Sequence, residues 1–176
     1  MTKIAIIGGG ASGLACAIEI MRTVKNKDDV KVTILERLPR VGKKILVTGN
    51  GRCNLTNANA SVKDYRGDAY FTEYALNQYS PQSNIEFFNS LGLYTRTEDE
   101  GRVYPLSNQA SSVLDALRFE CARLGIETIC DYRAVHLKTV DTGVTTKIIV
   151  NNRDRFDYVV VACGGMTCKA HGTGCI

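Results

Sequence analysis

A glycine-rich segment near the amino terminus carries the residues best suited to bind a phosphorylated ligand. Gly8, Gly10 and Gly13 follow a short apolar run. A strand that enters a tight turn needs Gly8, Gly10 lets the backbone approach a pyrophosphate, and Gly13 allows helix and strand to pack closely. Free N–H groups at the start of the following helix would then face the phosphates, aided by the helix dipole.

A single carboxylate ends the second apolar run. Val32 to Leu35 predict a strand, and Glu36 lies 23 residues beyond Gly13. At the carboxyl end of such a strand, a carboxylate can accept hydrogen bonds from both ribose hydroxyls of an adenosine. Because it would repel a 2′-phosphate, the sequence disfavours NADP at this position.

The segment between the glycines and Glu36 has the pattern of an amphipathic helix. Leu14, Ile18 and Met21 recur on one face, and the small Ala17 keeps the helix thin where it crosses a sheet. A strand, a helix and a second strand within 36 residues predict a dinucleotide-binding βαβ unit. A glycine turn without a ligand is the alternative interpretation.

The rest of the chain predicts further helices and strands around a long loop. Residues 37–68 show no clear period, and long loops of this kind are usually functional or disordered. Three helices are predicted. One covers 72–78, one begins at Pro81 after the N-cap Ser80 and ends before Gly92, and one covers 109–124. Strands are predicted over 93–97, 102–104, 127–130, 134–139, 146–151 and 158–162. The last strand is almost continuously apolar, which predicts a central strand covered on both faces.

Composition limits the classes of function. A chain of 176 residues can bury one sizeable core, and its net charge of +4 is scattered, so no nucleic-acid partner is predicted. No apolar run approaches the ~20 residues that span a membrane, which favours a cytoplasmic protein without a membrane partner. The seven cysteines are expected to be reduced, and the set Cys163, Cys168, His171 and Cys175 has no usual zinc spacing, so no metal is predicted.

A second glycine-rich segment makes a specific resemblance visible. Lys43 to Asn57 reads KKILVTGNGRCNLTN, Gly101 to Ser107 reads GRVYPLS, and a strand ends in ACGG at Gly165. Together with the glycine-rich opening and Glu36, these segments resemble the HI0933-like or BaiN-like NAD(P)/FAD-dependent oxidoreductases, also called aminoacetone oxidase family FAD-binding enzymes. The match covers nearly the whole chain, and the GRCN loop is its most specific part.

This resemblance implies a fold and a cofactor. The fold is α/β, a Rossmann-like FAD/NAD(P)-binding domain with a parallel central sheet and a small antiparallel β element. FAD would bind with its ribose on Glu36, its pyrophosphate on Ala11 and Ser12, and its adenine edge on the main chain of Val135. The cofactor-binding residues implied are Gly8, Gly10, Ala11, Ser12, Gly13, Glu36, Arg37, Lys43, Lys44, Gly51, Arg52, Val135, Ala162 and Gly164, with the 43–52 loop near the flavin.

The resemblance also implies how much of a family member the sequence covers. Family members are more than twice as long, and residues 166–176 depart from their pattern. Residues 1–176 are therefore expected to be a partial FAD-binding domain, the N-terminal fragment of a larger flavoprotein. Within it, residues 37–106 would form a long cofactor-facing loop and helical excursion, and the substrate domain and C-terminal return segment would be absent.

Three functions stay open at this point. The leading hypothesis is the FAD-binding portion of an oxidoreductase that transfers hydride between flavin and a small organic substrate, with NAD(P)H as partner. The alternatives are an NAD-dependent dehydrogenase and a non-catalytic truncated fragment. No catalytic residue is predicted: neither His136 nor His171 is favoured as an acid or base, Cys53 is favoured as a packing residue, and Arg102 and Tyr104 are candidates for the substrate side.

Overall fold

The computed structural model of the chain describes residues 1–141, 143 and 145–165. These form two compact units. The first comprises Met1–Lys44 and the described residues from Leu117 onward, and the second comprises Ile45–Ala116.

The elements follow the chain in this order. The strands are β1 Thr2–Ile7, β2 Val30–Leu35, β3 Thr56–Asn57, β4 Thr95–Thr97, β5 Arg102–Pro105, β6 Glu127–Ile129, β7 Leu137–Asp141, β8 Thr146–Val150, β9 Asp154–Phe156 and β10 Tyr158–Val161. The α-helices are α1 Ala11–Thr23, α2 Glu73–Gln78, α3 Pro81–Ser90 and α4 Ala110–Arg123. Short 3₁₀ turns lie at Lys27–Asp29, Val62–Asp64, Ala69–Thr72 and Asp99–Gly101.

A parallel sheet forms the centre of the first unit. Its strand order is β10-β1-β2-β6, and Ile4 of β1 pairs with Val32 on one side and with Tyr158 on the other. The apolar runs that predict β1 and β2 are buried, and α1 buries Leu14 and Ile18 as its period requires. The predicted βαβ unit and parallel sheet are therefore confirmed.

The predicted position of β10 within the sheet is wrong for the part of the chain that the structure describes. This strand pairs with β1 on one side only, so it lies at the sheet edge. Tyr158 and Val161 are 63% and 53% exposed. An apolar run does not specify sheet order, and here β1 and β2 hold the two inner places.

An antiparallel meander of β7, β8 and β9 accounts for the small β element implied by the resemblance. The predicted strand over 134–139 begins only at Leu137, because the N–H groups of Val135 and His136 donate to the Asn151 side chain rather than to a ladder. The sequence does not predict β9, because its residues DRF carry no alternating apolar pattern. Its Phe156 nevertheless packs with Val150 in one buried cluster.

The second unit contains the sheet β3-β5-β4, which is antiparallel, and helices α2 and α3. The predicted start of α3 is confirmed: the Ser80 hydroxyl accepts the N–H of Ser83 at 3.2 Å, and Pro81 occupies the first turn. Val103 and Tyr104 of β5 are buried.

A buried carboxylate joins α1 to the carboxyl-terminal half of α4. Glu120 is 8% exposed and accepts hydrogen bonds from Arg123 Nε at 2.6 Å and from Arg22 Nη2 at 2.8 Å. The hydrogen bonds from Arg123, with those from Arg22, lower the pKa of Glu120 to about 2 although burial opposes this. An ionised carboxylate is therefore part of the packing between the two helices.

Replacing Glu120 by Gln should lower the free energy of unfolding at neutral pH by about 1.5–3 kcal/mol, the usual cost of hydrogen bonds to a charged group. Because the pKa of Glu120 is depressed in the folded state, its contribution to stability is complete above the unfolded pKa of about 4.3 and disappears as the pH falls towards 2. Urea denaturation at several pH values measures this, with Glu19→Gln as control, since Glu19 lies 3.9 Å from Arg22 and is exposed. Equal stability of Glu120→Gln and wild type at pH 7 would contradict it.

Candidate functional site

The candidate site lies at the carboxyl ends of three neighbouring strands of the first unit. Gly8 follows β1, Glu36 follows β2, and Ala162 follows β10. Ligands of open α/β sheets bind outside the carboxyl ends of the strands. The sheet therefore brings together three predicted site residues that are far apart in the sequence.

The conformation of Gly8 is fixed by its neighbours on both sides. Its N–H donates to Leu35 O at 2.9 Å, and the N–H of Ala162 donates to Ile7 O at 2.8 Å. Gly8 has a φ of +109°, and a Cβ on it would lie 2.5 Å from Ala162 O. Only glycine satisfies both the backbone conformation and this contact.

The two other predicted glycines differ in their surroundings. A Cβ on Gly13 would lie 1.9 Å from Gly8 O, so Gly13 permits α1 to begin directly against the end of β1. A Cβ on Gly10 would meet nothing within 4 Å among the described residues. The space beside Gly10 is thus open, and Gly10 is the N-cap of α1.

The start of α1 can accept an anion. Among the described residues no side chain caps this end and no acidic residue stands in the first turn, while Ala11 and Ser12 are exposed. The first N–H groups of a helix lack intrahelical acceptors and carry the positive end of its dipole. The residues present therefore fit a pyrophosphate next to Gly10.

Glu36 is held by backbone amides of two segments. Its Oε2 accepts the N–H of Gly9 at 2.7 Å, and its Oε1 accepts the N–H of Leu38 at 2.8 Å. Each carboxylate oxygen can accept a further hydrogen bond, so two ribose hydroxyls can still be accommodated. The sequence predicted the ribose contact but not this anchoring of the glycine turn.

Residues after Leu38 close against the same turn. The N–H of Gly42 donates to Gly9 O at 2.8 Å, and a Cβ on Gly9 would lie 2.4 Å from Val41 Cγ1. Nearby in the first unit, Lys44 Nζ lies 3.6 Å from where a Cβ on Gly164 would stand. The structure thus brings Lys44 to the segment that follows β10. Arg37 and Lys43 are half-buried in the same unit.

The main chain of Val135 is partly engaged. Its N–H donates to Asn151 Oδ1 at 2.8 Å, and the Asn151 amide in turn donates to Arg133 O. An adenine contact from this main chain would have to use the Val135 carbonyl or displace Asn151. The residue is 51% exposed, so its side chain does not prevent access.

Gly51 and Arg52 belong to the second unit. Gly49, Asn50 and Gly51 all have left-handed backbones, with φ of 54°, 55° and 81°. Beyond this turn, the Arg52 guanidinium lies 4.0 Å above the Tyr104 ring and pairs with Glu98 at 3.0 Å. No pattern in the sequence indicates that Glu98 contacts the predicted site residue Arg52.

The remaining candidates have structural surroundings. Cys53 is buried, and burial raises the pKa of its thiol, which supports packing rather than redox chemistry. Arg102 pairs with Glu100 at 2.9 Å, and Tyr104 is buried beneath Arg52. His136 precedes β7 and is exposed.

Two further predictions concern metals and membranes. The described residues contain no group of three or more His, Cys, Asp or Glu that could hold a metal. Cys168, His171 and Cys175 lie outside the described residues. No helix in the described part of the chain is long and apolar enough to cross a membrane.

Comparisons with known proteins identify the family and the fold of the chain. Residues 2–175 match the family described as HI0933-like protein Rossmann domain. Over 98% of its length the chain is 42% identical to 3-dehydro-bile acid delta(4,6)-reductase of Clostridium scindens, of which it covers 41%. Over 95% of its length it is 25% identical to ribosomal RNA dihydrouridine synthase of Haemophilus influenzae, again covering 41%.

Among solved structures, THI4 of Thermovibrio ammonificans superposes with a TM-score of 0.58 at 18% identity, over 93% of this chain and 57% of that one. This likeness establishes the fold. The chain spans about two fifths of the length of the curated relatives it matches.

The surroundings of Gly13 and Gly10 predict different losses of stability when each is replaced by alanine. Gly13→Ala should lower the free energy of unfolding by about 2–3 kcal/mol or more, because its Cβ would overlap Gly8 O. Gly10→Ala should cost no more than about 1 kcal/mol, since its Cβ enters open space at an N-cap. Thermal or urea denaturation compares them, and equal losses would mean that the close approach of α1 to β1 is not as described.

Proposed function

The chain belongs to the HI0933-like protein family, and from this membership we propose that it is the FAD-binding portion of a flavin-dependent oxidoreductase. The observation that carries the proposal is the combination of an open anion-binding helix start beside Gly10 with the oriented carboxylate of Glu36. The two groups match the pyrophosphate and the adenosine ribose of a dinucleotide.

Residues of the first unit would hold the adenosine half of FAD. The N–H groups of Ala11 and Ser12 would bind the pyrophosphate, and Glu36 would accept the ribose hydroxyls. Gly8 and Gly13 keep the helix start close to the strand end, and Gly10 leaves room for the phosphates. The carbonyl of Val135 would reach the adenine edge. Ala162 and Gly164 would leave the backbone after β10 open to the cofactor.

Basic residues would serve the flavin end. Lys43, Lys44 and Arg52 carry positive charge, and Gly51 allows a planar ring near the backbone. Arg37 follows Glu36 directly in the sequence and would serve the adenosine half instead. When bound, FAD would supply the hydride-transfer chemistry. The basic residues would stabilise the negative charge that the reduced cofactor carries, while the rest of the chain orients it.

The substrate is proposed to be a small organic molecule, with NAD(P)H as the reductant. The 42% identity to a bile acid reductase supports this class over ribosomal RNA, because the identity to the dihydrouridine synthase is only 25%. The proposed location is the cytoplasm. An NAD-dependent dehydrogenase and a non-catalytic fragment remain the alternatives, and the visible spectrum separates them, since bound FAD is yellow and NAD is colourless.

Glu36→Ala should weaken FAD binding by about 1.5–3 kcal/mol, the range for hydrogen bonds to a charged group. A flavin-fluorescence titration measures it. The substitution also removes the acceptor for the Gly9 and Leu38 N–H groups.

Glu36→Gln is the control for that second effect, because its amide oxygen still accepts one of the two N–H bonds. It should bind FAD with an affinity between wild type and Glu36→Ala. Unchanged affinity in Glu36→Ala would show that the ribose is held elsewhere.

The 176-residue chain itself should bind FAD weakly and show little NAD(P)H oxidation. It spans about two fifths of its relatives, and a flavin needs contacts along both its pyrophosphate and its ring. The test is the visible spectrum of the purified chain together with NADH and NADPH oxidation in the presence of an acceptor. Stoichiometric FAD with full turnover would contradict this expectation.

A further inference from the structure

Three residues of the second unit meet around one guanidinium. Arg52 follows the left-handed turn at Gly49–Gly51, Glu98 follows β4, and Tyr104 lies in β5. The Arg52 Cζ stands 4.0 Å from the centre of the Tyr104 ring. Its Nη1 donates to Glu98 Oε2 at 3.0 Å and to Oε1 at 3.2 Å. One face and one edge of the guanidinium are therefore fixed.

The carboxylate that fixes this edge is itself anchored. The Glu98 N–H donates to Arg102 O at 2.7 Å, and Arg96 Nη2 donates to Glu98 Oε1 at 2.6 Å. Partial desolvation would raise the pKa of Glu98, but the hydrogen bonds from Arg52 and Arg96 lower it further than that. Glu98 is thus ionised at neutral pH, and its carboxylate accepts hydrogen bonds from both Arg52 and Arg96.

The remaining edge of the guanidinium is available. Among the described residues, every hydrogen bond of this group runs through Nη1, including a long one to Asn108 Oδ1 at 3.5 Å. The N–H groups on Nη2 and Nε are left to solvent or to a ligand. A stacked guanidinium that is held at one edge is preorganised, so binding at its other edge costs little side-chain entropy.

We propose that Glu98 is a positioning residue that holds Arg52 flat on Tyr104, so that the free edge of Arg52 can meet the flavin end of the cofactor. The inference rests on the proposed function, in which Arg52 contacts that end. It assigns to Glu98 and Tyr104 a role in presenting the charge of Arg52. A surface ion pair with no such role would contribute little to stability and nothing to the cofactor.

A positioning role and a purely electrostatic role of Glu98 predict opposite effects of Glu98→Gln on the reduction of FAD. Removing the negative charge of Glu98 makes the surroundings more positive, which by itself favours the reduced, more negative cofactor. Releasing Arg52 from its fixed plane instead removes a cation from that cofactor and disfavours reduction. Glu98→Gln therefore distinguishes the two effects.

The first measurement needs no cofactor. In ¹⁵N-labelled chain, the Arg52 Nε–H resonance, identified by its loss in Arg52→Met, should be displaced by the ring of Tyr104. Glu98→Gln should return it to the position of a free arginine. Asp99→Asn, which removes the neighbouring exposed carboxylate, should leave it unchanged. An unmoved resonance in Glu98→Gln overturns the inference whether or not FAD binds.

The second measurement is the reduction equilibrium of FAD on the same variants, at saturating FAD against a reference dye. Arg52→Met and Glu98→Gln should both lower the equilibrium constant for reduction about tenfold, equivalent to about 30 mV for a two-electron couple. Asp99→Asn should leave it unchanged or raise it slightly.

The outcomes separate the inference from the proposed function. The equilibrium constant for FAD reduction could rise in Glu98→Gln and fall in Arg52→Met. That result would show that Glu98 acts only through its charge, and it would overturn the inference but not the proposed function. No change in Arg52→Met, or no binding of FAD at all, would count against the proposed function and against the role of Arg52 with it.

Discussion

The first unit depends on the close approach of α1 to the end of β1. A Cβ on Gly13 would lie 1.9 Å from Gly8 O, so the helix can begin where it does only because this position has no side chain. The approach sets the helix start beside the carboxyl ends of β1 and β10. Every feature proposed to bind phosphate, from the open space at Gly10 to the exposed Ala11 and Ser12, depends on it.

A second constraint links this turn to the neighbouring strand. Glu36 accepts N–H groups from Gly9 and Leu38, while Gly42 donates to Gly9 O. The carboxylate proposed to bind the ribose is therefore also part of the scaffold of the glycine turn. A substitution there acts on the ligand contact and on the shape of the turn at once, which is why the Gln and Ala variants have to be compared.

The second unit shows how a loop charge can be oriented without a regular element. Arg52 follows a turn whose backbone is left-handed at three successive residues, yet its side chain is fixed by a ring below and a carboxylate beside it. The carboxylate comes from the end of β4 and the ring from β5, which pair in one sheet. Sheet pairing thus determines the geometry of a side chain about fifty residues earlier in the chain.

The βαβ unit, the start of α3 and the family can be predicted from the sequence, because glycine spacing, apolar period and capping residues act over short distances. The position of Glu36 at the end of β2 follows for the same reason, since this acid directly follows the second apolar run; its contact with a ribose stays a prediction. Three features follow from tertiary contacts alone. The strand β10 lies at the sheet edge, β7 begins only at Leu137 because Asn151 accepts the N–H of Val135, and Glu98 pairs with Arg52. Those features arise from contacts between residues distant in the chain, and such contacts leave no periodic or local pattern in the sequence.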